Sequence, residues 1–276
     1  MKPFFLILIV LLGIAGCAHV PRAADTRAQV SQPDIDDEEK IVAFSESEGE
    51  AGGLPEGWES VIIHRNKKLT EYALTSEQGR KVLHARAASA SSGLMQKLDI
   101  DPMQESQLSW QWRISRLVES ADNHDRTRED SPARIILGFD GNKDDLSFAD
   151  QIMFETARLL TGREMPYATL MYIRGRKAPV DTVISNTRSG RIKMIVVASG
   201  NDGVGEWRTF SRDIVADYER AFGEKPGRLI GVGVLTDTDN TGETVETWYG
   251  DIKLTPKSDM PVAMDGILPV SDARNR

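Results

Sequence analysis

The sequence predicts a mainly β fold, an antiparallel β-sandwich or jelly roll with two short helices. Three observations carry this. Most apolar segments alternate with a period of two residues, which is the strand signal. Turn residues punctuate them at short intervals. Only two stretches carry helical spacing, too few to layer against a parallel sheet.

Taken in order, Ile41-Val42-Ala43-Phe44 is a candidate first edge strand. Gly52 to Gly57 forms a turn leading into a strand from Trp58 to Ile63. Lys81 to Ala87 is the next strand, followed by a Ser/Gly-rich bend at Ser89 to Gly93. Leu108 to Ile114 alternates cleanly: Leu108, Trp110, Trp112 and Ile114 share one face, and Ser109, Gln111 and Arg113 share the other. Ala133 to Asp140, Ala168 to Arg174, Ile192 to Ala198 and Arg228 to Thr236 are further strands. Thr244 to Leu254 closes the domain. On this last strand Trp248 groups with Ile252 and Leu254 as core, and Tyr249 and Asp251 point the other way. One helix is expected over Phe148 to Leu160, ending near Gly162. The other has Ser211 as N-cap, Asp213 in its first turn and Gly223 at its end.

The N-terminus carries Lys2 and then an apolar run of 11 residues, Phe4 to Ile14. A membrane-spanning helix needs roughly 20 apolar residues, so this run fits the core of a signal peptide instead. It ends in Ile14-Ala15-Gly16-Cys17, which resembles the bacterial lipobox. The resemblance implies a signal peptide over 1–16 and a lipid-bearing Cys17, whose acyl chains, palmitate among them, enter the bilayer. Ala18 follows, so an aspartate-type retention signal is missing. Likeness to enterobacterial lipoproteins then implies the periplasmic face of the outer membrane. Cys17 is the single cysteine. Once it is acylated the chain has no thiol for a disulfide, a nucleophile or a metal.

The formal net charge of -8 is unevenly placed. Residues 18–57 hold 3 Lys/Arg against 10 Asp/Glu, whereas from Trp58 onward 30 basic residues face 32 acidic ones. The segment 17–40 is therefore expected to be an acidic, disordered tether, 41–256 the β-sandwich domain, and the Pro-containing 257–276 a loosely attached tail. A nearly neutral domain offers no basic field for nucleic acid.

Several motifs carry a family resemblance. They are Leu54-Pro55-Glu56-Gly57-Trp58, Trp110-Gln111-Trp112-Arg113, Gly205-Glu206-Trp207, Arg212 to Tyr218, Phe222 to Pro226, Thr236 to Gly242 and Trp248 to Ile252. Together they resemble the bacterial domain-of-unknown-function family 3047 over residues 41–255. That resemblance implies a secreted envelope protein and no particular activity. A looser likeness is to galactose-binding-type jelly rolls, including carbohydrate-binding modules.

Asp237-Thr238-Asp239-Asn240-Thr241-Gly242 is the densest oxygen cluster. Two readings stand: a hairpin between paired strands, or a structural calcium site using Asp237, Asp239 and Asn240, with Asp251 as a further ligand. It is not an EF-hand, because its fifth and twelfth positions are Thr241 and Trp248. Trp110 and Trp112 are core by their shared face. Gln111, Arg113, Arg134 and Tyr249 are the ligand-binding candidates. The polar loop Glu119 to Asp130 offers Asp122, His124 and Asp125 for a divalent ion or acid–base work, against a plain solvated loop. No nucleophile elbow, His-Glu-x-x-His, P-loop or dinucleotide fingerprint is present. Glu155, Asp140 and Asp251 could still serve a glycan hydrolase or lyase, which needs only two placed acids. The leading expectation is a lipid-tethered module binding an envelope glycan or a protein partner. A glycan-acting enzyme and a purely structural envelope protein are the alternatives.

Overall fold

The computed structural model describes residues 40–48, 51–62 and 66–257. The chain divides into two units, Met1–Asp37 and Glu38–Arg276. The leader, Cys17 and most of the tether lie outside the described residues, as does the tail beyond residue 257. No helix among the described residues is long and apolar enough to cross a membrane.

Two sheets form the described unit. The first has seven strands: β1 (Glu59–Val61), β4 (Ser91–Ile100), β6 (Ser131–Phe139), β7 (Ala168–Gly175), β8 (Val183–Ser185), β9 (Ile192–Ser199) and β11 (Leu229–Asp237). Their spatial order is β1-β4-β11-β6-β7-β9-β8. All pairings are antiparallel except β7 with β9. The second sheet contains β2 (Glu71–Glu77), β3 (Arg80–Ala88), β5 (Gln107–Ile114), β10 (Arg208–Asp213), β12 (Thr244–Tyr249) and β13 (Lys253–Thr255). It is ordered β10-β5-β12-β3-β2, with β13 also pairing β5. The expected mainly β sandwich with two helices is therefore the fold observed.

The core lies between the sheets, and the alternation on β5 supplies its centre. Leu108, Trp110, Trp112 and Ile114 are all buried. Trp110 stacks on Tyr172 of the opposite sheet at 5.0 Å and on Phe210 at 5.3 Å. Ile41 to Phe44 is not a strand. It is a loop that packs Phe44 on Trp58 at 4.9 Å and donates the Val42 amide to Gln96 of β4.

The bend placed at Ser89 to Gly93 is confined to Ser89, at φ 51°, and Ala90; from Ser91 the chain is already β4. The small residues there mark close approach rather than a turn. A Cβ on Gly93 would sit 2.7 Å from the Val234 carbonyl oxygen. Ser92 Oγ accepts the Thr70 amide at 3.0 Å.

Helix α1 (Phe148–Thr161) matches its expected span, capped by Ser147 and by Gly162 in the left-handed region. Helix α2 (Ile214–Phe222) starts later than expected. Asp213, not Ser211, is its N-cap and accepts the Val215 and Ala216 amides. Ser211 lies on β10 opposite Ser109.

The family motif around α2 docks that helix. Asp217 is buried and takes two bonds from Arg212, both 2.7 Å, and one from the Tyr172 hydroxyl at 2.9 Å. Asp217→Ala strands both donors, which is expected to cost about 2–3 kcal/mol. Thermal melting should fall by roughly 5–10 °C. A shift under 2 °C would show that the network is dispensable.

Candidate functional site

The outward face of the six-stranded sheet is built by the alternation that buries its other side. Register places Arg113 opposite Trp248, and Trp248 opposite His84, in one row across three strands. The side chains interleave. His84 stacks on Trp248 at 4.9 Å, and the Arg113 guanidinium lies 3.8 Å from the Trp248 ring centre. Trp207 extends the row with Arg113 at 5.9 Å and Arg80 at 5.5 Å from its ring. Alternating cations and π faces hold one another in this row. Glu77 fixes Arg113 from the side at 2.8 Å.

Beside this ladder is a hollow of about 220 Å³, whose polar lining comes from Arg80, Ser109, Gln111, Thr209, Asp251 and Lys253. Gly250 keeps it open: a Cβ there would stand 3.2 Å from that of Gln111. Arg80 donates to Gln111 Oε1 at 3.2 Å. Asp251 accepts the Ser45 amide at 2.9 Å and its hydroxyl at 2.6 Å.

Gln111, Arg113 and Asp251 thus share one surface, but Arg134 and Tyr249 do not join them. Tyr249 is fully buried, bonded to Thr236 Oγ1 and to the Leu235 carbonyl. Burial pushes its phenol well above the usual range. The expected facing of β12 is therefore reversed: Tyr249 points inward and Trp248 outward. The cause is a break at Gly250-Asp251-Ile252, after which the chain resumes as β13. Counting by twos through that break switches parity, so Ile252 is buried together with Tyr249.

Arg134 belongs to another cluster. It is buried and pairs with Asp237 through Nε at 3.2 Å and a terminal nitrogen at 3.1 Å. Asp237, Asp239 and Asp130, which was not anticipated, offer carboxylate oxygens within 4.8 Å of one another. Burial outweighs Arg134 and, with the neighbouring carboxylates, raises the Asp237 pKa to about 6. The strands flanking this loop, β11 and β12, lie in different sheets, so it is a crossover between sheets and not a hairpin. Asp130 fastens it by accepting the Asn240 and Thr241 amides and the Thr241 hydroxyl. Lys67 pairs with Asp239 at 2.8 Å. A cation here would compete with these donors. Asp251, in the break between β12 and β13, is not part of the cluster.

The loop from Glu119 to Asp130 is folded on itself. Asp125 takes the Thr127 amide and hydroxyl, which lower its pKa to about 2, and Asp122 accepts the His124 amide. The carboxylates named for glycan cleavage are dispersed. Glu155 sits on α1 bonded to Arg158, Asp140 follows β6, and Asp251 lies in the break between β12 and β13.

Several solved structures are similar to the chain in overall form. Endoglucanase cel12A from Rhodothermus marinus has a TM-score of 0.41 at 11% identity, covering 72% of this chain and 95% of that one. The K1 cleaved adhesin domain of Lys-gingipain from Porphyromonas gingivalis W83 has a TM-score of 0.36 at 9% identity, covering 78% and 96%. A variant of a family 29 carbohydrate-binding module has a TM-score of 0.32 at 11% identity, covering 83% and 97%. No curated protein matches the chain. The model of the family described as "Protein of unknown function (DUF3047)" matches residues 56–253, and the chain belongs to that family.

Proposed function

We propose that this chain is an envelope-anchored binding module whose six-stranded sheet face recognises a glycan. One observation carries the reading: a polar hollow adjoins a rigid ladder of indole and guanidinium groups. Sugars present hydroxyls that pair with Gln, Asp, Thr and Arg, and apolar edges that lie against indole. A few fixed polar groups beside aromatic surface suit such a ligand. The ladder holds Arg113 and Trp207 in place before binding, so little side-chain freedom is lost on contact.

A glycan array of peptidoglycan fragments and envelope polysaccharides, probed with the full chain, tests this directly. Gln111→Ala is expected to weaken the best ligand about ten-fold, the equivalent of one lost hydrogen bond at about 1.4 kcal/mol. Trp207→Ala should cost more, about 2 kcal/mol. Absence of any glycan signal, or signals untouched by both substitutions, would remove the reading.

In this proposal Cys17 is the anchor and the acidic tether holds the domain away from anionic headgroups, at the periplasmic face of the outer membrane. Radiolabelled palmitate fed to expressing cells should label the parent chain and leave Cys17→Ser unlabelled. Equal labelling of both would place any lipid elsewhere.

A further inference from the structure

The outward positions of β5 set what the hollow beside the ladder can hold. Alternation turns Ser109 and Gln111 outward. Register puts Thr209 of β10 across from Gln111, and Lys253 of β13 across from Ser109. Residues directly opposite on neighbouring strands share a face, so three strands present polar side chains together. Gly250, with no side chain, lies beside Gln111 and donates its amide to the Gln111 carbonyl at 2.9 Å.

The charged groups lining the hollow are Arg80, Lys253 and Asp251. Asp251 is already committed: one oxygen accepts the Ser45 amide and the other the Ser45 hydroxyl. The two cations have no such partner. Glu77 stands opposite Arg80 in the register of β2 with β3, yet it pairs with Arg113 at 2.8 Å. Neither Arg80 nor Lys253 pairs with a carboxylate among the described residues, and both are exposed. Arg80 is nevertheless held in position. One terminal nitrogen donates to Gln111 Oε1 at 3.2 Å, and the guanidinium lies 5.5 Å from the centre of the Trp207 ring. Its remaining N–H groups are free to form the planar fork that oxyanions accept. The Ser109 and Thr209 hydroxyls, which also line the hollow, make no hydrogen bond among the described residues.

At about 220 Å³ the hollow is smaller than the roughly 300–1,000 Å³ of sites for drug-sized ligands. It suits one sugar ring and its substituent. A neutral ring seated there would strip water from two cations and give nothing back, which is costly. An oxyanion on that ring restores what the water supplied.

We propose that the glycan recognised by this face is acidic: one ring carries a carboxylate or phosphate held by Arg80 and Lys253, and Ser109 and Thr209 meet its hydroxyls. This specificity rests on the glycan-binding role of the face.

A glycan array of matched pairs, probed with the full chain, tests the two separately. One pair is oligogalacturonate and its methyl ester, and the other is phosphorylated mannan and its dephosphorylated form. The acidic members are expected to bind at least ten-fold more tightly than their neutral counterparts. Preference within the first pair alone assigns a carboxylate, and within the second alone a phosphate. Added salt should erode the preference, because the cations are exposed. Lys253→Glu should lower the acidic signals at least ten-fold. Asp251→Asn, which keeps an acceptor for the Ser45 amide, should raise them a few-fold, a gain that misfolding cannot produce. Neutral members bound as well as acidic ones, or acidic signals unchanged in a folded Lys253→Glu chain, would overturn the acidic specificity and leave the glycan role standing. Silence across this array and across the envelope glycans would remove both.

Discussion

Arg134→Ala is expected to destabilise the domain by about 3–5 kcal/mol at pH 8, because it removes the partner of a buried carboxylate. Asp237 would remain fully desolvated beside Asp130 and Asp239, with the Ser131 amide the one donor left to it among the described residues. The pH dependence separates this account from simple loss of packing. Burial lifts the folded-state pKa of Asp237 to about 6, above the ordinary carboxylate value of 3.8. A raised carboxylate pKa gives stability that is fully present below the unfolded value and is lost as pH rises through 6. For a shift of this size the loss is about 3 kcal/mol. Without Arg134 the carboxyl should be harder still to ionise. The variant's deficit should therefore shrink between pH 8 and pH 5, measured by urea denaturation at each pH. A deficit that stays constant would trace the role of Arg134 to its bond with the Glu129 carbonyl instead. Arg134→Met combined with Asp237→Leu should recover much of the loss, since an apolar pair leaves no buried charge.

Much of the fold was legible because one physical rule dominated it. The period-two pattern on Leu108 to Ile114 placed Trp110 and Trp112 inside and Gln111 and Arg113 outside, as the structure has them. Helix α1 was legible from its spacing and from Gly162 at its end. The difficulties arose where local chemistry has two uses. Ser91-Ser92-Gly93 has the composition of a turn, yet small residues also permit a strand to lie against a close neighbour. Asp237 to Gly242 has the composition of a hairpin, and the same residues served a crossover between sheets. The break at Gly250 reversed the facing of Trp248 and Tyr249, and with it their roles. Asp130 was hidden for a different reason: its partners, Asn240 and Thr241, are more than a hundred residues away. No local pattern signals a carboxylate that fastens a distant loop. Trp207 stood within a family motif, but only the register of β10 against β5 brings it beside Arg113.

Trp110→Ala should be the most damaging single substitution among the tryptophans, at about 4–5 kcal/mol. Its ring is 1% exposed and contacts Trp112, Tyr172 and Phe210, so truncation opens a cavity that spans both sheets. Each lost aromatic pair adds about 0.5–1.5 kcal/mol to the lost burial. Trp248→Ala should cost only about 1–2 kcal/mol, because the ring is half-buried and gives up one stacked histidine and one cation–π contact. Trp110 Nε1 is buried with no acceptor among the described residues, so the position is selected for ring area and not for polar contact. Trp248 instead supports a guanidinium that faces the candidate ligand surface. Denaturation midpoints should therefore fall steeply for Trp110→Ala and modestly for Trp248→Ala, while glycan affinity at a temperature where both are folded should fall for Trp248→Ala alone. Similar stability losses would mean that the outward ladder is a structural clamp of the sheet, and the surface beside it would lose its claim to be a binding face.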